Sequence, residues 1–496
     1  MTRRRLAALG WALLITGTAG AAAPQVDALF PSGGRRGETV ESATLIGKVS
    51  DWPVEAWSSH PALRVQAGEK KQSVKISIGR DVPTGPHLLR FFTAAGASEA
   101  RVFEVGDQPE VVEAAANDSP EQAEAIEALP VLVNGRLERG GDTDFYSVRL
   151  RAGQLFTARL EGYSLGSLID PFLVLLDDRG YEVAVASDTH NLDPFLQHRV
   201  DRDGEYRVQV FAIAHKASTS VSYAGSSAAV YRLRLTTAED ERIGLPLESD
   251  VAESAGAALK SPVRLAGLLA RPGERDEFTF PAVKGETYTV RVEARRWHYL
   301  WDPVLTLHRP DGKLLRQVDD TRTDADAEYT FKAAVDGDHR ISIEDRFRTG
   351  GAEHRYRLVI GPAVPSVAVT VDKDRWELKP GGTVDLKLKV DRRDGHKAAL
   401  SVRVENLPEG ITADLKEVEG KAKTATLKLK ASAETAPFNG AIRVMLSEEK
   451  EEPFPATWSF ATGDSRGDYL VNETADLWLT VPAVKPPSPP AKKDKE

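Results

Sequence analysis

The feature that most constrains this chain is that part of it occurs twice. Sliding the chain against itself by 132 residues brings positions 130–189 onto 262–321 without a gap, with nineteen of sixty positions identical. Ordinary residue frequencies would give about four. Pro130 meets Pro262, Gly135 meets Gly267, Gly141 meets Gly273, Asp144 meets Asp276 and Gly153 meets Gly285. Asp170-Pro171 meets Asp302-Pro303, Gly180 meets Gly312, and Asp188-Thr189 meets Asp320-Thr321. Beyond that the register slips, so that Asp203-Gly204 answers Asp336-Gly337 and Tyr231-Arg232-Leu233 answers Tyr356-Arg357-Leu358. The matches are turn-forming glycines and Asp pairs on one hand, and alternating apolar residues on the other. Two copies are too few for a solenoid, so the pattern predicts tandem domains.

In the first copy, strand candidates lie near 131–137, 144–149, 154–161, 172–176, 181–186, 195–200, 205–213 and 229–236. Phe145 to Leu150 and Gly204 to Val210 alternate cleanly, which implies one buried and one wet face. Eight antiparallel strands in a stretch of this length suit a jelly-roll-like sandwich. A helix start is read at Ser119-Pro120-Glu121-Gln122, with Ser119 as N-cap and Gln122 as the reciprocal cap.

The flanks carry the same kind of punctuation. Residues 24–107 open on Phe30-Pro31-Ser32-Gly33-Gly34 and close on alternating runs; residues 363–482 alternate in Val367 to Val371, Val384 to Val390 and Thr424 to Leu429. Such runs between Gly, Pro and Asp clusters read as β-sandwiches. The expected architecture is all-β: multidomain β-sandwiches, with jelly-roll-like copies at 108–237 and 238–362 between immunoglobulin-like end domains. Residues 483–496 form a Pro/Lys-rich tail expected to be disordered.

Residues 1–23 read as a signal peptide: Arg3, Arg4 and Arg5, an apolar run from Leu6 to Gly20, and small residues for cleavage at Ala19-Gly20-Ala21 or Ala21-Ala22-Ala23. The other reading is an uncleaved anchor. An exported protein is expected, located in the periplasm, at the cell surface or outside the cell. The net charge of −9 argues against a nucleic-acid partner, and the absence of cysteine excludes disulfides, thiolate metal sites and cysteine nucleophiles.

Asn117-Asp118-Ser119-Pro120-Glu121-Gln122-Ala123, Asn134-Gly135, Gly141-Asp142-Thr143-Asp144-Phe145-Tyr146 and Asp203-Gly204-Glu205-Tyr206-Arg207-Val208 together resemble the bacterial pre-peptidase C-terminal domain. The second copy resembles it through Gly273-Glu274-Arg275-Asp276-Glu277-Phe278 and Asp336-Gly337-Asp338-His339-Arg340-Ile341. The N-terminal segment resembles an IPT/TIG domain, and the C-terminal one the immunoglobulin-like modules of secreted bacterial enzymes. The resemblance implies a non-catalytic jelly-roll module that accompanies secreted peptidases. Related collagen-binding domains of clostridial collagenases bind calcium, with ligands in comparable acidic segments. No peptidase domain accompanies the modules in this sequence.

Four candidate sites follow. Asn117, Asp118, Asp142 and Asp144 offer the hard oxygen ligands that calcium prefers, although Asn and Asp also cap helices and make turns. Ser249, Asp250, Glu274 and Asp276 stand at the matching offsets of copy two. Gly162-Tyr163-Ser164-Leu165-Gly166 matches the GxSxG elbow of serine hydrolases, but a strand rather than a helix is expected after it, so it reads as a turn. Asp177-Asp178 and Asp319-Asp320 read as solvated turn pairs. Trp297, Tyr299 and Trp301 would share one face of an extended segment, either as a stacking surface for a sugar or partner or as packing.

No catalytic residue is assigned. The expected function is a secreted or envelope binding or scaffold protein whose partner is an extracellular or envelope protein or a polysaccharide. The alternatives are an accessory of a separately encoded secreted peptidase and, last, an unrecognised hydrolase.

Overall fold

A computed structural model describes residues 22–483, apart from 115–116, 190–191, 215–221, 238–246, 248, 255, 298, 300, 320–325, 352, 450 and 465–466. Nearly all of the expected signal peptide and tail, and the Asp320-Thr321 match, lie outside the described residues. Among the described residues the elements are strands and three single-turn 3₁₀ helices.

All eight strands expected in copy one are present: Val131–Arg136, Asp144–Leu150, Leu155–Glu161, Ile169–Leu176, Glu182–Ala186, Phe195–Arg199, Gly204–Ala214 and Val230–Thr236. Counted in chain order, they form sheets ordered first-eighth-third-sixth and second-seventh-fourth-fifth. That is the jelly-roll order. Copy two repeats it: Val263–Leu268, Arg355–Pro362, Thr287–Glu293 and Ala327–Lys332 form one sheet, and Arg275–Ala282, Gly337–Asp345, Pro303–His308 and Leu314–Val318 the other.

The cores match position by position while the residues change. Val133, Tyr146, Phe156, Leu173, Val208 and Leu233 are buried together in copy one. Leu265, Phe278, Tyr288, Leu305, Ile341 and Leu358 take their places in copy two. Volume and pattern are preserved where identity is not, as cores tolerate. Gly135 and Gly267 have a specific reason to persist. A Cβ there would come within 2.2 Å of the Tyr231 ring and 2.3 Å of the Tyr356 ring. Each tyrosine lies across its glycine in the neighbouring strand.

The copies part company where the chain enters them. In copy one Val111 pairs with Val133 and Ala125 with Ser147, so fourteen positions separate the two bridges. In copy two Val251 pairs with Leu265 and Ala258 with Thr279, and only seven positions separate them. The extra chain in copy one holds Asn117, Asp118 and Ser119–Gln122. The helix expected there is one 3₁₀ turn, Pro120–Gln122, and Ser119 makes no cap bond to its backbone. The Ser119 hydroxyl instead faces Gln122 Oε1 at 3.4 Å.

The end segments are two-sheet sandwiches. One runs between Gln25 and Gly106 and the other between Ser366 and Val481, and the latter adds a hairpin, Trp458–Asp464 with Gly467–Thr474. The two ends dock on each other. Arg90, 1% exposed, donates to Asp374 at 2.5 Å, and its guanidinium lies 5.5 Å from the centre of the Trp478 ring. Leu88, Ala100 and Val102 of the first sandwich share an apolar cluster with Leu165 of copy one and with Trp458 and Phe460 of the hairpin. The chain therefore closes on itself instead of running out as a string.

Candidate cation site

Gly141, at φ +88°, turns the chain into the strand Asp144–Leu150. Asp142 and Asp144 are two residues apart and so point to one side. The Phe145 N–H donates to the Asn117 carbonyl at 2.9 Å, which lays the extra loop of copy one alongside them. Carboxylate oxygens of Asp118, Asp142 and Asp144 all lie within 4.8 Å of one another. Asp142, Asp144 and Asn117 are buried, and the Asp118 side chain is 41% exposed. The three aspartates singled out in the sequence are thus brought together, with the Asn117 backbone bonded alongside them.

The partners around them leave much of the negative charge uncompensated. Asp142 accepts the Glu138 N–H at 2.5 Å. Asp118 accepts from Arg139 at 2.6 Å, but that guanidinium comes in from solvent. Asp144 accepts from the Tyr231 hydroxyl at 2.5 Å, which lies 2.6 Å from the Tyr146 hydroxyl. Glu113 lies near both hydroxyls, 3.3 Å from that of Tyr146 and 3.4 Å from that of Tyr231. Burial pushes Asp144 up to about 7 and Glu113 up to about 8, with neighbouring carboxylates adding to both. Asn117 Nδ2 is buried and meets no acceptor. Which end of an amide is nitrogen is assigned from its partners, so this orphan position suits an oxygen facing a cation. Three clustered carboxylates, an amide and a shortage of positive charge fit a hard cation such as calcium.

Glu113, Tyr146 and Tyr231 are the members that sequence reasoning missed. Tyr231 stood in the repeat as Tyr231-Arg232-Leu233, and its role follows from Gly135, which makes room for the ring. Glu113 precedes the ungapped register and left no signal.

Copy two keeps the back of this site and lacks the front. The Tyr356 hydroxyl donates to Asp276 at 2.6 Å and lies 3.3 Å from Glu253. Burial raises both carboxyls, Glu253 to about 7. Asp250, the counterpart of Asp118 by simple offset, lies elsewhere, paired with Arg264 at 3.0 Å. Ser249 donates its hydroxyl to the Val251 carbonyl. The offset misleads because the seven missing residues fall between these positions and the first strand.

The GxSxG segment folds as a 3₁₀ turn, Tyr163–Leu165, followed by the strand Ile169–Leu176. The buried carboxylate of Asp193 accepts the backbone N–H groups of Gly162, Tyr163 and Ser164 and, at 2.5 Å, the Ser164 hydroxyl. In copy two Asp326 accepts the N–H groups of Ala294, Arg295 and Arg296, with arginine in the place of Ser164. The turn and its acid are structural in both copies, and the hydroxyl is incidental to them. Asp177 likewise caps its own turn through the N–H groups of Arg179 and Tyr181.

The aromatic stripe is corrected. Arg295–Trp297 is a 3₁₀ turn, so the segment is not extended and its three rings do not share an exposed face. Tyr299 and Trp301 belong to the core of copy two at 1% and 6% exposure. Trp297 donates its indole N–H to Glu293 at 3.0 Å and lies under Arg357.

No protein-family model and no curated protein matches the chain. Among solved structures, the pre-peptidase C-terminal domain of Bacillus anthracis collagenase is 15% identical. That match covers 22% of this chain and 97% of that one, with a TM-score of 0.19. The D00-D0 domain of intimin is 10% identical over 39% of this chain and 96% of its own, at 0.17. Fibronectin(III)-like modules of Clostridium thermocellum CbhA are 11% identical over 48% and 92%, at 0.14. Likenesses at this level carry no inference about ligand or activity.

Proposed function

We propose that the protein is a non-catalytic scaffold of the extracytoplasmic space whose first jelly-roll copy is set by a calcium ion. The observation that carries this reading is the cluster that Asp118 forms with the buried Asp142 and Asp144. Those three residues and Asn117 would hold the ion, with Tyr231 and Glu113 behind Asp144. Bound calcium would supply the positive charge that keeps these carboxylates ionised in a buried place.

The position of the site gives the ion a mechanical role. The loop that carries Asn117 and Asp118 lies between Glu110–Val112, which begins just past the first sandwich, and Glu124–Ala125. Glu110 is already held by the fully buried Arg232 at 2.9 Å. Clamping the loop onto the Asp144 strand would stiffen the junction between the first sandwich and copy one. The partner held by such a scaffold would be an extracellular or envelope protein or a polysaccharide. A companion role to a secreted peptidase is the second reading, motivated by the motif set of copy one, and stable co-purification with such an enzyme would favour it.

The test is limited proteolysis of residues 107–124 with calcium and with chelator. Cleavage slowed by calcium, and not slowed in Asp142→Ala, supports the role. Equal cleavage in both conditions rejects it.

A further inference from the structure

The two copies present different edges to solvent. In copy one the outer sheet, the one ordered second-seventh-fourth-fifth, ends on Glu182–Ala186, which among the described residues has no strand on its far side. Ala184 and Ala186 pack against the core. Val183 and Val185 point the other way and are 36% and 56% exposed, with Tyr181 at 65% beside them. The same face continues inward over Phe172, which stacks on Phe211 with ring centres 5.1 Å apart.

Copy two provides an internal control. Its corresponding edge, Leu314–Val318, carries exposed Arg316 and Gln317. Val174 pairs with Val185 in copy one, and Thr306 pairs with Gln317 at the same place in copy two, where their side chains bond at 3.2 Å. Charged and polar residues on an edge deter pairing with another strand, and an apolar edge invites it. Copy two has that guard in Arg316 and Gln317, beside an exposed Leu314, whereas the edge of copy one has Glu182 as its one charged residue and exposes valine at 183 and 185.

The edge of copy one is complementary to itself. If two such strands pair antiparallel about Ala184, each Val183 faces a Val185 of the other chain and each Glu182 faces an Ala186. A parallel pairing in register would set Glu182 against Glu182, which like charges disfavour. The antiparallel arrangement is also the one that a two-fold axis generates. We propose that Glu182–Ala186 pairs with the same strand of a second copy of this chain, joining the two outer sheets into one. A seam of five residues per chain falls well below the roughly 1,200 Å² of a standard interface. The dimer is therefore weak and depends on concentration.

The test is sedimentation equilibrium of the full chain from low micromolar to near-millimolar concentration. The expected result is an average mass that rises from one chain towards two. Val185→Lys and Val183→Lys hold it at one chain, and Gln317→Lys in copy two behaves as wild type. A mass of one chain at every concentration overturns the proposal, as does a dimer that survives Val185→Lys. Should Val185→Lys fail to fold, hydrogen exchange on the wild type decides instead. Amides of 182–186 slowed at high protein concentration support the seam, and rates that ignore concentration refute it.

Discussion

Copy one and copy two have the same strand order, equivalent cores, the same tyrosine-over-glycine contact and the same aspartate-capped turn, yet among the described residues only copy one gathers three carboxylates within 4.8 Å of one another. The difference is seven residues of chain. With them, Asn117 and Asp118 reach Asp142 and Asp144; without them, Asp276 and Glu253 are left to each other and to Tyr356. The scaffold and the site are thus separable, and a loop that contributes nothing to either sheet's core decides whether the aspartate bonded to the tyrosine gains the Asp118 carboxylate or is left with Glu253 as its bonded carboxylate neighbour.

What the copies share is tested by removing the turn caps. Asp193→Ala leaves three backbone N–H groups and a hydroxyl without their acceptor, at a cost of about 3–5 kcal/mol. Asp326→Ala should cost about as much in copy two, because three N–H groups depend on it as well. Chemical denaturation monitored by hydrogen exchange in each copy reads both. A large effect in one copy alone would break the equivalence.

What the copies do not share is tested by calcium. At about 100 times its dissociation constant, the ion stabilises the fold by about 2.7 kcal/mol. The resulting rise in melting temperature should vanish in Asp144→Ala and persist in Asp276→Ala. Loss of the rise in both variants would mean that copy two binds as well.

The pH dependence sharpens the contrast. Glu253 is raised from its ordinary 4.5 to about 7, by desolvation first and by Asp276 beside it. Its contribution is fully present below pH 4.5 and is lost as pH rises through about 7. Exchange protection of Arg355–Pro362, corrected for intrinsic rates, should fall between pH 5 and 8 on the same grounds, with or without calcium. Asp144 and Glu113 of copy one are raised in the same direction, so Val230–Thr236 should lose protection in chelator. There calcium should restore it. The smallest effect is expected for Ser164→Ala. It removes one hydrogen bond and costs about 1 kcal/mol. Loss of a hydrolytic activity in that variant would reopen the hydrolase alternative.

The sequence made the strands legible because their alternation is local and their turns are marked by glycine and aspartate. Asn117, Asp142 and Asp144 were visible for the same reason, each lying in a short polar segment beside a strand. Tyr231 and Glu113 were not, since they meet Asp144 only when distant strands pair across the sandwich. The aromatic run left stacking and packing open, and packing holds for Tyr299 and Trp301, because a 3₁₀ turn at Arg295–Trp297 breaks the two-residue period on which the exposed face depended. The docking of the two ends rests on Arg90 and Asp374, 284 positions apart, and no local pattern announces it.

Calorimetric titration of calcium into the metal-free chain tests the central claim most directly. The account predicts one bound calcium per chain, abolished by Asp142→Ala and untouched by Asp276→Ala. No binding, or two equivalent sites, would contradict it.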